Sequence, residues 1–143
     1  MLVTTKGRYA MRLMVRVAQA GLGAKTSLRA VSEQEAISLK YLEQVARPLV
    51  AAGLLDSVRG KGGGYRLARP ADQIKAGDIL RAAEGTTVPV ACQGLADDAT
   101  CPRSAECTTV RFWAGLDEVI ERYVDGVTLA DLTEGAAAPV LLQ

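Results

Sequence analysis

From residue 5 onward, apolar residues recur at spacings of three and four, at Ala10, Leu13, Met14 and Val17. That period marks a helix with one buried face, and it leaves Arg8, Arg12 and Arg16 together on another. The stretch GLGAKTS interrupts the pattern, and Thr26 or Ser27 can cap a second helix, about two turns long, bearing Leu28 and Val31. After a turn at residues 36–38, Ser38 is placed to cap a third helix with Leu39, Leu42, Val45 and Leu49 buried. Pro48 falls inside that pattern, where a missing N–H and a ring clash cost about 3 kcal/mol, so a kink or break is expected near Arg47.

Gly53 closes the third segment, and LLDSVRGKGGGYRLARP then changes period. Two short strands over residues 54–58 and 64–68 are expected around its glycine-rich turn. Three helices followed by a hairpin predict a winged helix-turn-helix, so the fold class is mainly α with a small β-hairpin wing. A fourth helix is expected from Pro70 to about residue 84, with Ile74, Ile79, Leu80 and Ala83 inward, followed by an extended piece, TTVPVA. A long helix is expected from about Cys107, along which Val110, Trp113, Leu116, Ile120 and Tyr123 fall near one seam. Such a seam suits a coiled-coil partner, hence a homodimer; the alternative is packing back on its own domain. Thr128 and Asp131 are spaced as a capping box for a last short helix, and the residues after Gly135 read as a frayed end. The expected organisation is a DNA-binding unit at 1–70, a connecting helix and strand at 71–91, a cysteine loop at 92–107, and a dimerisation helix with its tail at 108–143.

Composition narrows the setting. The chain has 143 residues, of which 49% are hydrophobic, enough for one compact domain or for a small domain with a dimerising extension. No apolar run approaches the roughly 18 residues of a membrane span. The start, MLVTTKGRYAMR, lacks the apolar core of a signal peptide, so a cytoplasmic protein with no membrane partner is expected. The net charge of +1 conceals a division: residues 1–70 carry 12 Lys and Arg against 4 Asp and Glu, and residues 71–143 carry 5 against 12. A basic first half points to a polyanion such as double-stranded operator DNA. With Leu39, Leu42 and Val45 inward, the third helix presents Lys40, Tyr41, Glu43, Gln44 and Arg47. Gln can bond adenine in bidentate fashion, Glu can accept from the cytosine amino group, and Lys reaches guanine or phosphate. Arg59, Lys61 and Arg66 ride on the glycine-rich hairpin, a framework that lets cations approach a minor groove or a phosphate strand. That turn opens a strand, not a helix, which excludes the phosphate loop of a Walker motif, and no dinucleotide-binding glycine pattern is present.

All three cysteines lie within CQGLADDATCPRSAEC, and the chain has no histidine. Cys92, Cys101 and Cys107 are separated by eight and five residues, wider than the paired spacing of a zinc knuckle. The spacing leaves three readings open: an iron-sulfur cluster, zinc, or a thiol-disulfide sensor or inert thiols. An enzyme is not expected, because no nucleophile and base pair is present; a small iron-sulfur electron carrier is the rival of a different class, and it would have no use for the +8 half.

The stretches TTKGRYAMRLM, ISLKYLEQVARPLVAAGLLDSVRGKGGGYRLARP, CQG and CPRSAEC together resemble the IscR-like iron-sulfur regulators of the Rrf2 family of bacterial transcription factors, over nearly the full length. The resemblance implies a homodimer with recognition helices in successive major grooves, wings in the minor grooves, and a cluster on Cys92, Cys101 and Cys107. It implies that Glu43 lets cluster occupancy alter which operators are accepted, that Lys40 and Gln44 belong to the recognition helix, and that Arg59 enters the minor groove. Two departures accompany it. The fourth, histidine ligand of the best-known members is Val110 here, and the first-helix carboxylate of a nitric-oxide-sensing branch is Arg8. Asp97, Asp98 or Glu106, the other subunit, or a small thiol or water is left to complete the cluster, with 2Fe-2S favoured over 4Fe-4S. A nitric-oxide or thiol-redox sensor of the same family is the alternative function.

Overall fold

Thr4, Ser27 and Ser38 each stand in extended conformation before a helix. Each hydroxyl accepts from an amide of the first turn, at Lys6 (3.2 Å), Ala30 (3.1 Å) and Tyr41 (3.2 Å). These caps satisfy amides that a helix start leaves without partners. They begin α1 (Thr5–Gln19), α2 (Leu28–Glu35) and α3 (Leu39–Ala51). The computed structural model describes residues 3–90, 92 and 101–135. Between α2 and α3 the chain turns at Ala36, which has a φ of 54°, while Ile37 is buried and its carbonyl accepts from Ser32 Oγ at 2.5 Å. A left-handed alanine costs roughly 1–2 kcal/mol, and burial of Ile37 offsets a cost of that size.

The buried residues of α1 are Gly7 and the four apolar positions the period predicted, Ala10, Leu13, Met14 and Val17. In α3, Leu42, Val45 and Leu49 are buried with Ala46, whereas Leu39 is only half-buried at the first turn. The break expected at Pro48 is not found, and α3 runs through it to Ala51. Only the last turn follows the proline, Gln44, whose carbonyl loses its donor, is exposed to water, and Leu49 anchors that turn in the core.

Strands β1 (Leu55–Val58) and β2 (Gly64–Leu67) form an antiparallel hairpin pairing Leu55 with Leu67 and Val58 with Gly64. The hairpin is tied to the entrance of α2 by reciprocal Thr26 and Tyr65 backbone bonds of 2.8 and 2.9 Å. That approach requires Gly64, where a Cβ would lie 2.6 Å from the Thr26 carbonyl oxygen. The winged helix-turn-helix and the mainly α class are therefore as the sequence predicts.

The expected fourth helix is divided. A 3-10 turn at Ala71–Gln73 is followed by extended residues Ile74 and Lys75, and only then by α4 (Ala76–Glu84). The reason lies at the far end of the chain: Ile74 and Lys75 pair with the segment around Thr128, through Ala76 N to Val127 O (2.9 Å) and Leu129 N to Ile74 O (2.8 Å). Ala83 is half-buried instead of inward, and residues 86–90 form no strand. The long helix α5 (Val110–Gly126) begins three residues later than expected, after a 3-10 turn at Ser104–Glu106. Finally α6 (Leu129–Thr133) has the predicted capping box, with Thr128 N donating to Asp131 (2.9 Å) and Asp131 N to the Thr128 hydroxyl (3.1 Å). Leu129, with no exposure, joins α1, α3, Ile74 and Ile79 in one core. Among the described residues no helix is long and apolar enough to cross a membrane. The residues after Gly135 lie outside the described residues.

One polar contact joins the two ends of this core. Glu84, the last residue of α4, accepts from Thr4 N (2.7 Å), Gly7 N (2.9 Å) and the Thr4 hydroxyl (2.8 Å), and so closes the first turn of α1. Burial opposes its ionisation, but the bonds from Thr4 and Gly7, with Lys6 nearby, outweigh burial and hold the carboxyl below its ordinary value of 4.5. A depressed carboxyl stabilises the fold above the ordinary value, and that contribution disappears as pH falls through the folded value. Glu84→Gln is therefore less stable than wild type at neutral pH, and the difference narrows as pH drops below 4.5. Urea melts across that range measure it; a pH-independent difference contradicts the assignment.

Candidate nucleic-acid interface and cysteine site

Because α3 buries Leu42, Val45, Ala46 and Leu49, its opposite face is left to Lys40, Glu43, Gln44 and Arg47, which are exposed. None of these four makes an ion pair or side-chain hydrogen bond among the described residues, so their donors and acceptors are open to a ligand. Tyr41 is half-buried and is held edge-on against Tyr9, with ring centres 5.4 Å apart at 85°. Arg12 lies 5.8 Å from the Tyr9 ring centre, in cation-π range. Tyr41 is thus positioned by α1 and presents only part of its ring outward.

On the wing, the cross-strand partner of Arg66 is Asp56, with 3.7 Å between Nε and Oδ2. That pair occupies one of the three cations read from the sequence. Arg59 and Lys61, at the tip, are exposed and make no such pair among the described residues. The basic stripe of α1 is also partly spent within the fold. Arg16 is bonded to Glu35 of α2, Arg12 lies 3.9 Å from the same carboxylate, and Arg8 donates to Thr5 Oγ1 at 3.4 Å. The helix-turn-helix thus uses two of its arginines to brace α1 against α2. The exposed face of α3 and the wing tip make no ion pair among the described residues. A groove of about 440 Å³ beside the exposed face of α3 is lined by Lys6, Tyr41, Gln44, Pro48 and Glu84, among others.

The three cysteines are free thiols, Cys92 exposed and Cys101 and Cys107 half-buried. No group of three metal-binding side chains comes together among the described residues. Asp97 and Asp98, two of the candidate fourth ligands, lie outside the described residues, while Glu106 is exposed on the 3-10 turn just before Cys107. Cys107 Sγ lies 3.3 Å from Thr109 Oγ1 at the entrance to α5. The Thr109 hydroxyl, the amides of Thr109 and Val110 and the charge of Arg103 together outweigh burial and lower the thiol below its ordinary value. The donor set accordingly suits a soft metal or cluster in chemical type, with three thiols, one of them already biased toward the thiolate that ligation requires. Val110 is half-buried and Arg8 exposed, and neither supplies a fourth donor.

Along α5 only Val124 is fully buried, while Phe112, Leu116 and Val119 are 65%, 36% and 43% exposed. They recur at intervals of four and three, a continuous apolar stripe. Of the seam expected from the sequence, Leu116 alone is exposed, and Val110, Trp113, Ile120 and Tyr123 are half-buried. The helix is fixed to α4 by Arg81, which bonds Glu121 (2.8 Å) and Asp125 (2.5 Å), and Thr87 also bonds Glu121. Sequence periodicity gives no sign of this ionic attachment.

Residues 3–135 match the family described as Rrf2, iron-dependent transcriptional regulator. The HTH-type transcriptional regulator IscR of Vibrio atlanticus is 39% identical over 132 residues, 92% of this chain and 75% of that protein. The solved structure of CymR (YrzC), the global cysteine regulator of B. subtilis, is 34% identical, with a TM-score of 0.72 over 94% of this chain and 98% of that one. T. potens IscR is 33% identical, with a TM-score of 0.73 over 100% of this chain and 93% of that one.

The Cys107 environment makes a direct prediction. Thr109→Val removes the hydroxyl partner, raises the thiol pKa and lowers the thiolate fraction at a given pH. In reduced, metal-free protein near neutral pH, iodoacetamide should then modify Cys107 more slowly while Cys101 keeps its rate. Unchanged Cys107 alkylation contradicts the assignment.

Proposed function

The chain belongs to the Rrf2 family of transcriptional regulators, and from that premise we propose that it is a cytoplasmic homodimer that reads operator DNA and answers to an iron-sulfur cluster. The observation that carries the DNA reading is the set of unpaired polar side chains on α3, Lys40, Glu43, Gln44 and Arg47, beside a wing tip whose Arg59 and Lys61 are equally unpaired. Gln44 and Glu43 supply the contacts to base edges, Lys40, Tyr41 and Arg47 flank them, and Arg59 and Lys61 engage the minor groove and phosphates. The exposed stripe of Phe112, Leu116 and Val119 supports pairing of two α5 helices, which would place two recognition helices on one duplex.

Cys92, Cys101 and Cys107 would hold the cluster. When bound, an iron-sulfur cluster supplies reversible one-electron chemistry and soft Lewis-acid ligation to the loop. The protein's part is to bias Cys107 toward thiolate and to place the loop directly ahead of α5, so that ordering the loop bears on the dimer helix. With no histidine or first-helix carboxylate, ligation is completed by Glu106, Asp97, Asp98, the other subunit or an exogenous donor, and a site of that kind is labile enough to sense cluster supply. The regulated genes on this reading serve cluster biogenesis or iron homeostasis. A second reading, thiol-redox sensing, is favoured by the free thiols with one held toward thiolate and by the similarity to the structure named as a cysteine regulator.

Two experiments test these readings. Gln44→Ala should cost about 1–3 kcal/mol at a cognate operator and relax preference at one base per half-site, whereas Arg59→Ala should weaken binding and flatten its salt dependence. Equal losses on cognate and random DNA for Gln44→Ala remove that residue from base reading. Mössbauer spectra of anaerobically purified protein should show cluster iron, with one inequivalent site bearing a non-thiolate donor; protein without iron that still binds operator in a thiol-dependent way selects the redox reading.

A further inference from the structure

Helix α4 makes charged contacts with two other helices from its last turn. Arg81 reaches α5 through Glu121 (2.8 Å) and Asp125 (2.5 Å), and it lies 3.5 Å from Asp78 on its own helix. Three residues on, Glu84 takes the amides of Thr4 and Gly7 of α1 at 2.7 and 2.9 Å. Both junctions are close-fitting. A Cβ at Gly77 would stand 2.1 Å from Asp125 Oδ1 and 2.6 Å from Arg81, and a Cβ at Gly7 would stand 2.5 Å from Glu84 Oε1. Neither helix can therefore slide on α4 without losing its charged partner.

Glu84 also borders the exposed face of α3, lining the same groove as Tyr41 and Gln44 of α3 and Lys6 of α1. Arg81 holds the half of α5 beyond the exposed stripe, and Thr87, just past α4, is bonded to the same Glu121. Between them, α4 packs on α1, α3 and α5. Arg81 bridges two carboxylates of α5 on one side and Glu84 caps the start of α1 on the other, so a shift of α5 is passed to α1 through one helical turn.

We propose that α4 is the coupling strut of this protein: Arg81 senses the position of α5, and Glu84 delivers it to the first turn of α1 and the neighbouring face of α3. Arg81 and Glu84 act as positioning residues, and neither bonds Cys92, Cys101 or Cys107 among the described residues. The proposal rests on the regulator reading above for its use, while the mechanical link stands on the geometry alone.

The test compares wild type, Arg81→Met, and Glu84→Ala as the local control, each checked by circular dichroism for an intact fold. Amide exchange by NMR reads the strut. Glu84→Ala should speed exchange at Thr4 and Gly7 directly. Arg81→Met, which touches neither amide, should also speed them, by roughly twofold or more, the low end of coupling within one bonded network. Operator binding reads its use: alkylating the three cysteines should change wild-type affinity, and that change should shrink in Arg81→Met. Gly7 exchange in Arg81→Met equal to wild type overturns the strut. An undiminished alkylation effect overturns its regulatory role. Faster Gly7 exchange in a protein that binds no operator in any state supports the strut and overturns the regulator reading instead.

Discussion

Leu13, Met14 and Val17 of α1 have no exposure at all, and the enclosure of that one helical face governs where everything else sits. Helices α2, α3, α4 and α6 and strand β2 all pack on α1. Each fully enclosed side chain of this size contributes about 1.5–3 kcal/mol, so displacing any neighbour exposes surface that the others cannot cover. The consequence is directional as well as energetic. Once the apolar face of α3 is committed to that core, its opposite face must carry Lys40, Glu43, Gln44 and Arg47 outward. The wing is committed in the same way by Leu55 and Leu67, which are buried, and by its backbone bonds to Thr26.

Charge then separates what holds the fold from what is offered to a partner. Arg12 and Arg16 converge on Glu35, Arg66 meets Asp56, and Arg81 meets Glu121 and Asp125. Most of these pairs are partly exposed and individually add little stability, but they fix relative positions of elements. Among the described residues Lys40, Arg47, Arg59 and Lys61 make no ion pair, and they lie on the exposed face of α3 and the wing tip.

Local signals in the sequence are the ones the structure bears out. Helix starts at Ser27, Ser38 and Thr128 were legible because a capping hydroxyl is a contact within one turn, and the buried face of α1 because its period is regular. Pro48 misled, since the rule against an interior proline assumes a continuing helix, whereas α3 ends a turn later. The division at Ile74 and Lys75 was hidden because its cause, the strand-like pairing with Thr128, lies more than fifty residues away. For the same reason Thr4, Gly7, Arg81 and Glu84 drew no attention: their partners are 40 to 80 residues distant. On α5 the periodicity points to a seam of Val110, Trp113, Leu116, Ile120 and Tyr123, of which only Leu116 is exposed, while Phe112 and Val119, outside that seam, form the outward stripe with it. The sequence places the three cysteines in one loop, but among the described residues no group of three metal-binding side chains comes together, and the bias of Cys107 toward thiolate needs the geometry of Thr109.

The account turns on a cysteine loop whose state reaches DNA through α5, α4 and the core. The most direct measurement is operator affinity of one anaerobic preparation, by fluorescence anisotropy, before and after its cluster is removed, on two operators that differ at the base facing Glu43 and Gln44. The account predicts that removing the cluster changes the ratio of the two affinities. An identical ratio in both states, with cluster occupancy verified by visible absorbance, contradicts it.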